Sequence, residues 1–155
     1  MRPLALAAAL LAVAITAVEA PALAQTAPPA YRSNCQACHQ ADAKGLPGQF
    51  PRLNGRANLI AASPEGRKYL MHAVLFGSAG RIVVDGKTII GVMPAFGRLS
   101  DADLAQALTY VSRLGGGKAP AAFTAAEVKA ARVEQLSSAA VSASRARLLE
   151  AKQIP

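Results

Sequence analysis

Five residues constrain this chain more than any others. Cys35-Gln36-Ala37-Cys38-His39 contains the only two cysteines of a 155-residue sequence and places a histidine directly after the second. Two close thiols in an oxidising compartment ordinarily read as a disulfide, but a disulfide gives no reason for His39. A thioredoxin-like redox pair wants a preceding strand and a βαβ pattern around it, and neither is evident. A structural zinc site needs four ligands; the candidates are Cys35, Cys38, His39 and His72, and their spacing fits no finger. What remains is the attachment signature of haem c. On a helix, positions i, i+3 and i+4 share a face. Cys35 and Cys38 can then form thioethers with the two vinyl groups while His39 reaches the iron from the same surface. One covalent haem also answers a shortage in the composition. With three Tyr, four Phe and no Trp, something other than aromatic side chains must fill much of the core.

The N-terminus points to export. Arg2 is a minimal charged start, Leu4 to Val18 is an almost unbroken apolar run, and Ala22-Leu23-Ala24 is a small-x-small cleavage site. Residues 1–24 read as a signal peptide cleaved after Ala24, which places the mature protein in the periplasm. The apolar run is short for a bilayer span, which needs about 20 residues, so no stable membrane span is expected after cleavage. The chain has 17 Lys and Arg against 9 Asp and Glu, a net charge of +8, and the leader removes one of each sign. Export argues against nucleic acid as the partner of this basic surface and favours an acidic protein.

Residues 25–29 form a linker. Ala30 to Gln40 can be helical, with Tyr31 and Cys35 on one face. Lys44 to Arg56 is rich in Gly and Pro and reads as irregular loop. Ser63 to Phe76 is a clear helix, with Ser63 as N-cap, Pro64 at the first helical position and Gly77 at the end. Arg81 to Ile90 reads as a hairpin around Asp85-Gly86. Ser100 and Asp103 open another helix, with Leu99 and Leu104 as its hydrophobic staple; it carries Leu104, Leu108 and Val111 and stops at Gly115-Gly116-Gly117. From residue 117 to 155 the chain is rich in Ala, Ser and charge. Thr124 and Glu127 form a capping box, but the apolar spacing beyond Val128 is poor. The expectation is a basic helical tail, peripheral and loosely held, that could be removed without disturbing residues 30–116.

The second iron ligand should come from downstream. Met93 lies in Gly91-Val92-Met93-Pro94, read as an irregular stretch between hairpin and helix, where Pro94 favours an extended Met93. Met71 falls inside a helix and reads as core. His72, also mid-helix, is the rival ligand and more often a packed structural residue.

Residues 30–116 resemble a class I cytochrome c domain. The resemblance rests on Tyr31 ahead of Cys35, the Cys-x-x-Cys-His motif, Pro51 downstream of His39, Met93-Pro94, and a closing helix with Tyr110-Val111. Pro51-Arg52-Leu53-Asn54-Gly55 and the hairpin before Met93 are similar to small bacterial monohaem cytochromes that accompany periplasmic dehydrogenases. The resemblance implies a mostly α, haem-wrapping fold with a short β-hairpin before the methionine loop, to which this chain adds its C-terminal helical tail. It implies that the Pro51 carbonyl holds His39, and that the first and last helices cross, bringing Tyr31 near Ala107 and Tyr110. Lacking Trp, the chain also lacks a propionate contact made by tryptophan in some relatives; Arg52 or Arg56 could replace it, or both could be solvated.

A haem with His39 and Met93 on its two axial faces has no open position, which favours one-electron transfer over catalysis. The expected protein is a periplasmic electron carrier rather than an enzyme. Its partners would be acidic redox proteins, with a dehydrogenase as donor and an oxidase or another cytochrome as acceptor. Two alternatives stand beside it. One is the dedicated cytochrome subunit of a molybdenum- or quinone-cofactor dehydrogenase, with the tail as docking arm. The other is an open-site haem sensor or peroxidase.

Overall fold

A computed structural model describes residues 26–155. The expected signal peptide, residues 1–24, lies outside the described residues. Among those described, no helix is long and apolar enough to cross a membrane.

The architecture is mostly α with a small antiparallel sheet. The motif segment forms two short helices, α1 (Pro29–Asn34) and α2 (Gln36–His39), where a single helix was expected. The break falls at Cys35, whose φ of −115° takes it off the helical path. Helical pairing resumes at once, with the His39 N–H donating to the Cys35 carbonyl at 2.9 Å. The i, i+3, i+4 relation of Cys35, Cys38 and His39 is therefore kept.

A loop leads to α3 (Ala57–Ile60) and α4 (Pro64–Phe76). Ser63 caps α4 by accepting from the Gly66 N–H. The hairpin follows, with β1 (Ser78–Val84) and β2 (Lys87–Met93) paired from Val84–Lys87 at the turn to Ser78–Met93 at the open end. Asp85 and Gly86 both have positive φ, as a two-residue turn matching the strand twist requires. The hairpin is longer than expected at both ends. Met93 is its last paired residue and not part of an irregular stretch. By the two-residue period of a strand, Met93 shares a face with the buried Ile89.

Helix α5 (Asp101–Ser112), capped by Ser100, has two working faces. Leu104, Ala105 and Leu108 join one apolar cluster with Leu70 and Leu75 of α4. Ala107, Tyr110 and Val111 join a second with Tyr31 and Ala57. The Tyr31 and Tyr110 rings pack with centroids 4.9 Å apart, so α1 meets α5 as the resemblance implied.

The chain beyond Gly117 departs from expectation. α6 (Ala125–Arg132) and α7 (Ser138–Glu150) are not loosely held. Phe123, Val128, Ala131, Val141, Leu148 and Ile154 belong to the same cluster as Leu70 and Leu104, and Val128 and Val141 are fully covered. α6 packs on α5 and α4, and α7 on α4 and β1. Polar contacts reinforce the seam. The Ser142 hydroxyl donates to the Ala79 carbonyl at 2.7 Å. Arg67 donates to the Ala121 carbonyl and Glu127. Arg132 donates to the Leu99 carbonyl and to Asp101. The expectation failed because the inward face of α7 is Val141, Arg145 and Leu148. Their i, i+4, i+7 spacing is that of a buried stripe, but its central member is an arginine.

Candidate functional site

A cleft of about 550 Å³ runs between the two apolar clusters, and Cys35, Cys38, His39, Pro51 and Met93 all line it. Its volume falls within the roughly 300–1,000 Å³ of ligand pockets, and most of the wall is aliphatic, including Ile60, Leu70, Leu108 and Val111. The other candidates lie elsewhere. Met71 is buried in the larger apolar cluster. His72 packs on Phe76 with its Nε2 lacking a hydrogen-bond partner and 3.5 Å from Glu134.

Cys35 and Cys38 are free thiols, both partly exposed. Burial, and then the neighbouring Cys38, push the Cys35 thiol up to about 11. His39 is 7% exposed, and its Nδ1 lies 2.9 Å from the Pro51 carbonyl oxygen. That oxygen can only accept, so Nδ1 carries the proton and Nε2 is the nitrogen left for a ligand. Burial lowers the pKa of His39, the Pro51 bond opposing it in part, which favours the neutral ring that ligation requires.

The backbone around these side chains is held tightly. Tyr31, fully buried, donates its hydroxyl to the Gln40 carbonyl at 2.7 Å and ties down the end of α2. Gly45, at φ +65°, donates to the His39 carbonyl at 2.9 Å. A Cβ there would lie 2.7 Å from the Pro51 oxygen, so only glycine lets that carbonyl sit where it meets His39. Gly77 plays the same part beside Met93. Its φ of +74° and ψ of −178° belong to a region open essentially to glycine alone, and a Cβ would come within 2.5 Å of the Met93 oxygen.

The donor set suits haem better than a bare ion. Among the described residues there is no group of three or more His, Cys, Asp and Glu side chains able to hold a metal. Two thiols, an imidazole and a thioether in one apolar cleft match a macrocycle that brings its own nitrogens. Reasoning from sequence gave no part in the site to several lining residues, Tyr69 and Arg145 among them. The signal for Arg145 was its place between Val141 and Leu148 in the helical stripe.

Comparison with known proteins agrees with this chemistry. Residues 22–111 match the family described as cytochrome C oxidase, cbb3-type, subunit III. A cytochrome c-552 of Thermus thermophilus is 37% identical over 131 residues, covering 82% of this chain and 88% of that one. A second cytochrome c-552 from Thermus thermophilus is 38% identical over 120 residues, covering 75% and 92%. A cytochrome c6 of Picosynechococcus sp. is 33% identical over 84 residues, covering 53% and 65%.

Proposed function

Because the chain belongs to the class I monohaem cytochrome c family, as an electron-transfer protein with one covalently bound haem c, we propose that it is an exported one-electron carrier. In this reading the haem is attached through Cys35 and Cys38 and ligated by His39 and Met93. The observation that carries the reading is the gathering of those four side chains on one cleft, with Met71 and His72 outside its lining.

When bound, the haem supplies a one-electron iron couple, whose potential methionine ligation raises relative to two histidines. The residues around it do the rest. Cys35 and Cys38 hold it covalently. Pro51 fixes the orientation and tautomer of His39 and makes it a better donor. Gly77 and the last rung of the hairpin, Ser78 to Met93, set the methionine backbone. The aliphatic wall keeps water out, so little solvent rearranges as charge changes.

The apolar run Leu4 to Val18 and the Ala22-Leu23-Ala24 site support export to the periplasm. The charge of +8 supports acidic redox partners, since complementary fields raise encounter rates. A dedicated dehydrogenase subunit had two supports, the likeness of the 51–55 run and the hairpin to such subunits and a tail free to wrap a partner; the burial of Val128 and Val141 removes the second.

The test is spectroscopic. Mature protein should weigh one haem more than the chain and keep its colour through acid-acetone extraction. Met93→Ala should abolish the weak far-red sulfur-to-iron band, lower the potential and admit carbon monoxide, while Met71→Ala should do none of these. Freely extractable haem, or a wild type already lacking the band, would overturn the assignment of these ligands.

A further inference from the structure

The two edges of the hairpin are finished differently. In a two-residue hairpin the pair flanking the turn exchanges hydrogen bonds, and bonded and non-bonded pairs then alternate. Counting from Val84–Lys87, the N–H and C=O groups of Ala79, Arg81 and Val83 on β1, and of Thr88, Ile90 and Val92 on β2, point away from the ladder. The β1 edge is covered by α7. Ser142 accepts from the Ala79 N–H at 3.1 Å and donates to the Ala79 carbonyl at 2.7 Å, and Arg145 donates to the Val83 carbonyl at 3.3 Å. On β2, no group among the described residues bonds the outward N–H or C=O of Thr88, Ile90 or Val92.

The β2 edge is apolar as well as open. Ile90 is 77% and Val92 74% exposed, and residues 88–93 carry no charge. Natural edge strands are ordinarily blunted by a charge, a proline or a bulge. Here the two strands pair without a bulge from Val84–Lys87 to Ser78–Met93. Arg52 fixes the tip, donating to both Asp85 carboxylate oxygens at 2.8 and 3.0 Å. With α7 on one edge and Arg52 at the tip, β2 is held as a strand before any partner arrives, which lowers the entropic cost of pairing.

Charge and register select the partner. On a chain of net charge +8, an uncharged edge offers nothing to an acidic segment and fits a strand as neutral as itself, such as β2. Laid antiparallel on a second copy about a two-fold axis through Ile90, β2 sets Ile90 on Ile90 and Thr88 on Val92, so all three outward residues meet outward residues. A slip of two residues either way leaves two such pairs. In the full register Lys87 stands across from Met93, and no like charges are opposed. Arg81, beside Ile90 in the hairpin, lies three strand spacings from its equivalent, about 14 Å, beyond the screening length of about 8 Å. We propose that the β2 edge is a dimer interface, pairing with β2 of a second copy of this chain to join two hairpins into one four-stranded antiparallel sheet. Because α7 covers each β1 edge, the assembly closes at two copies. The pairing needs only the outer edge of the hairpin and does not depend on what fills the cleft.

The experiment is sedimentation equilibrium on the full mature protein from about 10 μM to about 1 mM, with amide hydrogen exchange followed by NMR at both ends of that range. The average mass should rise towards two chains. Added salt should move the rise to lower concentration, because it screens the repulsion between two basic copies. The amides of Thr88, Ile90 and Val92 should exchange more slowly in the concentrated sample. Ile90→Lys sets two ammonium groups against each other at the axis and should weaken association at least about tenfold. Leu59→Lys, the same charge at an exposed apolar position on α3, should leave it within about twofold. A single-chain mass at the highest concentration overturns the proposal, as does a dimer that Ile90→Lys leaves intact. The amide measurement needs no variant, so a wild-type dimer whose three amides exchange as fast as in the dilute sample overturns it even if Ile90→Lys fails to fold. Slow exchange at these amides in a single-chain sample would place another segment of the chain on the edge, and overturns it too.

Discussion

Replacing Val128 with alanine asks directly whether the C-terminal segment belongs to the core. Val128 is fully buried on α6 within the cluster that includes Leu70 and Leu104. The change removes two methyl groups, about 1.6 kcal/mol of apolar burial at about 0.8 each. The hole left behind adds about 24 cal/mol per Å³ that does not collapse. Alanine's better helix propensity returns up to about 0.6 kcal/mol. The net expectation is a loss of about 1–2.5 kcal/mol, or about 3–8 °C in Tm for a chain of this size. Val133, just past the end of the same helix, is 78% exposed and serves as the control, since its truncation should stay within about 0.5 kcal/mol. Thermal melts of both variants, followed by far-UV circular dichroism, decide the matter. Equal and small shifts would refute the burial argument and restore a peripheral tail.

Gly77→Ala should destabilise by about 1–3 kcal/mol through its φ and ψ alone, with the Cβ clash against the Met93 oxygen added, and should weaken the far-red band even though no proposed ligand is changed. For His72, burial lowers the pKa, with Lys68 assisting and Glu134 opposing. The unfolded chain therefore binds more protons from the folded pKa up to about 6.5. Its contribution to stability is full above about pH 6.5 and is lost as pH falls below it. In His72→Gln the plot of Tm against pH should flatten on the acid side of that value; an unchanged slope would remove His72 from the account. Arg132→Met should lose the contacts to Leu99 and Asp101 and cost about 1.5–3 kcal/mol, measured by urea denaturation.

Local chemistry was legible where a short segment decides its own conformation. Ser63, Ser100 and Thr124 each cap the helix they were expected to cap, and Asp85-Gly86 makes the expected turn. The motif and the methionine loop pointed to residues that do line one cleft. What sequence could not supply depends on distant partners. The hairpin runs on to Ser78 and Met93 because the Ser142 hydroxyl on α7 engages the Ala79 N–H and carbonyl. The helix breaks at Cys35, and nothing in Asn34-Cys35-Gln36 announces it. Helix α7 hid because alanine and serine blur its periodicity and an arginine sits in its buried face. A charge at a core position reads as solvated until its surroundings are known, which is also why Arg145 escaped notice as part of the site.

The walls of the cleft come from opposite ends of the chain, and this imposes an order in time. A polypeptide made from its N-terminus presents Cys35, Cys38 and His39 early and α7 last. Until α7 docks on α4 and β1, Arg145 is missing from the cleft wall and Val83 has no guanidinium beside it. Docking is a long-range closure, slower than the formation of a local helix or hairpin. The motif is thus reachable while the container is incomplete, and whatever has been attached there is enclosed when the last helix arrives.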